Sequence, residues 1–281
     1  MINLILQVLE LGSIYALLVA AVHLTSNVIG IDDFSIEGSF AVGGALGIVL
    51  AHAHVPLGIL VPGILLAGIT VGLMTSGLFV LVGIDSLLSG IIVTTGLFSC
   101  NLKIAGAQAT LDQTLFDALS LGPQNHWVLL VPLAIGIISV LWWLLQTEVG
   151  LCLRAVGDNP GMLTHIGKNP HVYITGGIVL ANMLAAFAGL LFVHHVGFFS
   201  ITGSIGTLIS ALAGLIIGQA VCGSWLGGIL IGAVLYQAII ATVIYQQCDP
   251  AWNKLITAIV IVLLVVFKHL KKHTGQQRRI S

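Results

Sequence analysis

Apolar residues run in long blocks along this chain, separated by short stretches of glycine, proline, asparagine, aspartate and serine. Each block is about as long as a helix needs to cross the hydrocarbon of a bilayer. The pattern predicts nine spans, at roughly residues 3–27, 36–53, 57–83, 87–106, 127–146, 173–196, 206–222, 227–246 and 253–268. Met1 to Leu9 lacks the basic start of a cleavable signal and runs on into apolar sequence, so it reads as a retained first span.

One interruption differs from the others. Glu148 to Val172 is a polar island between two long apolar blocks. Within it Asn159 is suited to cap a helix, Pro160 to occupy its first position, and Gly167 with Pro170 to end it. The spacing predicts a helix of about two turns. Met162, Leu163 and Ile166 fall at helical spacing on one side, which makes a small apolar knob outside the bilayer that asks for a groove. The plainer reading is an interhelical loop with good turn chemistry.

Composition adds the class. With 58% hydrophobic residues, 7% charged residues and a mean hydropathy of +1.12, the chain cannot cover a water-soluble body with polar surface. It reads as an integral membrane protein of one domain, 1–281, with 34 glycines suited to close helix packing in lipid. The formal net charge of -1 gives no footprint for nucleic acid. Cys100, Cys152, Cys222 and Cys248 have neither disulfide-framework nor metal-cluster spacing and read as packing residues. The basic tail, residues 268–281 with Lys268, Lys271, Lys272, Arg278 and Arg279, predicts a cytoplasmic C-terminus. Counting back places the island with Arg154 and Lys168 on the same side, Lys103 and Lys254 near outer span ends, and the N-terminus outside.

Candidate chemistry is sparse. The chain has no GxxxxGK[ST], HExxH or GxSxG motif, so no reading as a nucleotide hydrolase or intramembrane enzyme is supported. Polar residues inside spans mark partners or pathways; here they are Glu10, His23, Asn182 and Gln219. Asn182 suits an interhelical hydrogen bond, and Glu10 is either an interfacial carboxylate or functional. His52, His54, His126, His194 and His195 project to one side and permit a metal-transport reading, although no carboxylate or thiolate accompanies them at ligand spacing. No metal site is predicted on that ground. Coupling to protons or sodium needs midplane carboxylates, and only Glu10 comes close. A purely structural membrane protein is a further alternative. Gly38-Ser39-Phe40 and Gly223-Ser224-Trp225 precede glycine-rich spans and hint weakly at a repeat.

Leu151 to Gly167, LCLRAVGDNPGMLTHIG, with the following span from Asn182 through Gly189, resembles the cytoplasmic loop and next helix of ATP-binding-cassette importer permeases. The likeness extends to Gly12 through Leu17, Asp33 through Phe40 and Gly197 through Gln219. Together these resemble the branched-chain amino acid and ribose permease superfamily, and within it the branch that includes tryptophan-type importers. The resemblance implies an all-α polytopic bundle of the vitamin-B12-importer-like, type II architecture in a bacterial inner membrane. It implies half of a homodimer served by two cytoplasmic ATP-binding subunits and an extracytoplasmic solute-binding protein. ATP and Mg would be used by the partner ATPase, with no cofactor bound by this chain. The island becomes a coupling helix, carried by Arg154, Asp158, Asn159, Pro160, Met162, Leu163 and Ile166. The implied translocation path takes in Asp33, Ser35, Glu37 and Ser39 with Phe198, Phe199, Ser200, Thr202, Ser204 and Thr207. Asp33 and Ser35 also suit plain capping of the second span, and the Phe198 stretch also suits a packed outer turn. The implied solute is a small polar one, an aromatic or branched-chain amino acid first, with metal-ion and sugar or nucleoside import as alternatives.

Overall fold

A computed structural model describes residues 2–111, 114–118, 126–222 and 226–245, together with Leu255, Ala258, Ile259 and Val262. Eight helices among the described residues are long and apolar enough to cross a membrane. They match the first eight predicted spans; apart from those four residues the ninth, 253–268, and the basic tail lie outside the described residues, as does the Gly223-Ser224-Trp225 half of the suggested repeat.

In chain order, α1 (Ile2–Val22) continues through a π-helical turn, His23–Ile29, so the first span is one long rod. Helices α2 (Ser35–His52), α3 (Leu57–Gly77, with a π-helical end at Leu78–Val82) and α4 (Ser86–Ala105) follow. A short strand β1 (Gln108–Thr110) and a single turn α5 (Leu115–Ala118) lead to α6 (Trp127–Gln146). The island then folds as two helices, α7 (Glu148–Asp158) and α8 (Pro160–His165), before α9 (Pro170–Val196). Strand β2 (Phe198–Ser200), the turn α10 (Ile201–Ser204), α11 (Thr207–Cys222) and α12 (Leu226–Tyr245) complete the order.

The bundle is organised around α1, α2 and α9, each with 67% of its most apolar 18-residue stretch buried, while α3, α4 and α6 turn most of their apolar side chains outward, as helices facing lipid do. Close approach depends on missing side chains. A Cβ on Gly43 of α2 would collide with the Ala186 carbonyl of α9, and one on Gly189 would meet the Phe40 carbonyl. These glycines let two backbones touch, the way helices associate in lipid where hydrophobicity gives no driving force.

Two ends of the bundle can be told apart by connectivity. At one, β1 and β2 pair antiparallel with Ala109 opposite Phe199, and Leu111 N–H donates to the Gly197 carbonyl at 2.8 Å. At the other lie α7, α8 and the Asp33 loop. The ribbon is an addition to the all-α expectation: six residues that, outside any helix, find backbone partners in each other.

Candidate functional site

The loop from the first span into α2 is closed by a buried polar knot. Asp33 Oδ1 accepts from Ser35 N–H at 2.8 Å and from Ser35 Oγ at 2.6 Å, while Asp33 Oδ2 accepts from Asn182 Nδ2 at 2.9 Å. Asn182 donates its second N–H to the Ile178 carbonyl at 2.9 Å, and its Oδ1 accepts from Ser39 Oγ at 2.5 Å with Ser35 Oγ 3.0 Å away. Every polar atom of the Asn182 amide is satisfied, which is what makes its burial in an apolar helix tolerable. Burial raises the pKa of Asp33 above the usual aspartate value, and the bonds from Ser35 and Asn182 oppose that shift. Asn182 is thus the interhelical hydrogen-bonding residue expected from the sequence. Asp33, Ser35 and Ser39 spend their hydrogen bonds inside this knot, and Asp33 caps the first residue of α2.

The segment after α9 does not simply turn and cross. From Gly197 it runs back along α2: the Phe199 ring lies beside Gly44, Ser200 Oγ accepts from Gly203 N–H at 3.3 Å to form α10, and Gly206 then breaks the helix in a left-handed conformation, φ 89°. Only after that break does α11 start, beside Tyr15 near the middle of the first span. The predicted span 206–222 is therefore the second part of a discontinuous element, Ile201–Cys222. Gly206 N–H donates to Glu37 Oε2 at 3.1 Å. A carboxylate thus stands at the N-terminal end of α11, where the backbone carries partial positive charge.

Two cavities flank the break and meet at Ile205, which lines both. The smaller, about 30 Å³, lies between Glu37, Thr94, Asn101 and Ser204, and has room for a water-sized group. Asn101 is buried, and neither polar atom of its side chain has a partner among the described residues. The larger, about 370 Å³, is bounded by Tyr15, Gly206, Thr207, Ser210, Tyr236 and Gln237. Tyr236 Oη donates to Ser210 Oγ at 3.0 Å. Its size suits a small organic solute, and its apolar walls with a few convergent polar groups are those of a binding pocket.

Of the residues the sequence suggested for a path, Glu37, Ser204 and Thr207 line these cavities. Phe198 is half-exposed and pairs in the ribbon, Phe199 is buried against α2, and Ser200 and Thr202 hold the α10 turn through a 3.1 Å hydroxyl contact. Tyr15, Asn101, Ser210, Tyr236 and Gln237 were missed. The available signal was their polarity inside otherwise apolar spans, the same signal that singled out Asn182.

At the other end, the cap on α8 forms as expected: Asn159 Oδ1 accepts from Gly161 N–H at 3.0 Å with Pro160 at the first position. The knob is different from the one expected. Leu163 is fully buried in the main core, whereas Met162 is 59% and Ile166 64% exposed. A six-residue helix lying on the bundle must turn one apolar side chain inward to be held at all, and Leu163 does this. Arg154, Asp158, Asn159 and Pro160 are exposed beside them. The sequence reading also left out α7. Its buried Cys152, Leu153 and Val156 repeat at helical spacing, and Gly157 lets the helix rest directly on the π-helical end of the first span, where any Cβ would strike the Val28 carbonyl. The exposed face of α8 is thereby connected through α7 to a membrane-crossing rod.

The histidine pattern is also corrected. At the ribbon end, Glu10 is buried, its Oε1 accepting from Trp127 N–H at 2.9 Å, and His195 Nε2 lies 3.8 Å from Oε2 of the same carboxylate. A carboxylate does accompany the histidines, brought there by packing of α1 against α6 and α9. His194 points the other way and accepts from Leu115 N–H at 3.0 Å.

A sequence profile of the family described as branched-chain amino acid transport system / permease component matches residues 4–265. The chain is 29% identical over 95% of its length to the tyrosine transport system permease protein of Clostridioides difficile, covering 92% of that protein. It is 27% identical to an uncharacterized protein of Rickettsia prowazekii, over 93% of this chain and 96% of that one. With the galactofuranose transporter permease protein YtfT of Escherichia coli it shares 24% identity, over 83% of this chain and 70% of that one. No solved structure matches.

Proposed function

The chain belongs to the branched-chain amino acid transport system permease family of ATP-binding-cassette importers, and we propose that the solute it passes is an aromatic amino acid of the tyrosine class. The carrying observation is the pairing of Glu37 with the start of α11 beside a cavity walled by Tyr15 and Tyr236. An amino acid zwitterion needs a negative group for its ammonium and a positive one for its carboxylate. Glu37 with the Asn101 amide meets the first need, and the first-turn N–H groups of α11, which have no intrahelical acceptors, meet the second. The tyrosine rings offer edge and face contacts to an aromatic side chain. The name of the Clostridioides difficile relative supports the same solute class.

In this reading a second copy of the permease completes the path, two ATPases dock on the exposed Met162–Ile166 face of α8, and closure of the ATPases is passed through α7 to the first span. ATP and Mg stay with the ATPases, and a solute-binding protein delivers at the ribbon end. The chain sits in the bacterial inner membrane with that end, and the N-terminus, outside.

Uptake of labelled tyrosine into cells that carry the importer, against a strain lacking this chain, tests the solute. Loss of tyrosine uptake that phenylalanine competes for and galactose does not is expected; loss of sugar uptake alone overturns the assignment. Cysteine labelling at position 160 from the cytoplasmic side and at the exposed ribbon position 108 from outside tests the orientation, and the reverse pattern refutes it.

A further inference from the structure

We propose that Glu10, His126 and His195 form a resident binding site for a zinc-class divalent cation at the ribbon end of the bundle, a role separate from passage of the solute. One ligand atom from each residue lies within 4.8 Å of the other two. They come from three different elements: α1, the residue preceding α6, and the last turn of α9. The set is built rather than superficial. Glu10 is 6% exposed and oriented by the Trp127 N–H, and Phe116, fully buried, stacks on the His126 ring at 4.2 Å and meets the His195 ring edge-on at 6.5 Å. His195 presents Nε2 to the Glu10 carboxylate, while Nδ1, on the other side of the ring, is buried without a partner among the described residues.

Two imidazoles and one carboxylate are a donor set for zinc rather than for calcium or magnesium, which take oxygen ligands. At zinc–nitrogen and zinc–oxygen distances of about 2.0–2.2 Å, tetrahedral ligands sit roughly 3.4 Å apart. The 3.8 Å between His195 Nε2 and Glu10 Oε2 is a few tenths of an ångström from that, within reach of small side-chain rotations. Three protein ligands leave a fourth position for water. A bound ion ties the first span to α6 and α9 where the discontinuous segment begins, and so fixes the outer frame of the cavity. The sequence put His126 and His195 among histidines open to a metal reading, but its spacing could not join Glu10 to them, because no two of the ligands are neighbours in sequence.

The test uses the full chain, purified in detergent with a tag free of histidine, stripped with chelator and titrated with zinc. The expected result is one zinc retained per chain after dialysis, a higher melting temperature with zinc than with calcium or magnesium, and visible bands of tetrahedral cobalt when cobalt replaces zinc. His126→Ala and Glu10→Gln, the latter keeping an acceptor for Trp127, should each weaken zinc binding by more than the roughly 10–100-fold that outer-shell changes cost and abolish the cobalt bands. Retention of zinc equally by both variants, or no stoichiometric zinc in the parent chain, overturns the proposal.

Discussion

The side-chain amide of Asn182 donates to the carboxylate of Asp33 across 2.9 Å, joining positions 149 residues apart in the chain. Through this bond the entrance of α2 is held against the middle of α9, and both partners are buried. The same two helices touch at Gly43 and Gly189, so the polar bond and the close glycine contact fix one crossing in two ways.

Replacing Asn182 with alanine removes a donor from Asp33 and an acceptor from Ser39 and leaves a small void. Unsatisfied buried polar groups and lost volume together should cost about 2–5 kcal/mol. Thermal unfolding of the purified protein in detergent should fall by several degrees; an unchanged melting temperature would show that the knot contributes nothing.

Asp33 also gives the protein a pH dependence whose sign is fixed. Its folded pKa lies above the ordinary value of 3.8, so the folded state binds more protons than the unfolded one between those two values. Stability from this residue is therefore fully present below the ordinary value and is lost as pH rises through the raised one, by up to about 1.4 kcal/mol per pH unit. Melting temperatures compared at successive pH values upward from the ordinary aspartate value should show this decline in the parent chain and not in Asp33→Asn. Parallel curves for the two proteins would refute it.

The two sides of α8 should respond differently. Leu163→Ala opens a cavity in the core and should cost about 2–5 kcal/mol. Ile166→Asp, at a position 64% exposed, should change stability by no more than about 0.5 kcal/mol. Its effect belongs to transport, which should drop at least about tenfold when a charge is pressed against an apolar ATPase groove. Normal uptake by Ile166→Asp would move the coupling surface to another segment at the island end.

Glu37→Gln keeps an oxygen to accept from Gly206 but loses the charge. A charge-assisted bond is worth about 1.5–3 kcal/mol, so uptake of an amino acid should fall at least about tenfold while the protein still inserts. If uptake is unaffected, the ammonium is bound elsewhere and the assignment of this carboxylate fails.

Much of the architecture is legible in the chain itself. Hydrophobic blocks longer than any soluble helix requires admit only membrane spans, because lipid satisfies no backbone polar group and a helix satisfies its own. Capping chemistry is equally local, so Asn159 and Pro160 open α8 where their side chains dictate. The polarity of Asn182 in an apolar helix pointed to a partner for the same reason, since unpaired burial is too costly to persist.

What the sequence could not decide is how elements distant along it meet. Leu163 and Ile166 look alike as apolar positions on a short helix, and only the packing of α8 on the bundle buries one and frees the other. Glu10, His126 and His195 are far apart in the chain and converge because α1, α6 and α9 pack together at their ribbon ends. The break at Gly206 reads as one more glycine in a glycine-rich chain until α2 supplies Glu37 to its N–H. Spans and caps follow from interactions within a few residues, which local sequence specifies; the cavity, the polar knot and the histidine cluster arise from the mutual packing of whole helices, which only the tertiary fold determines.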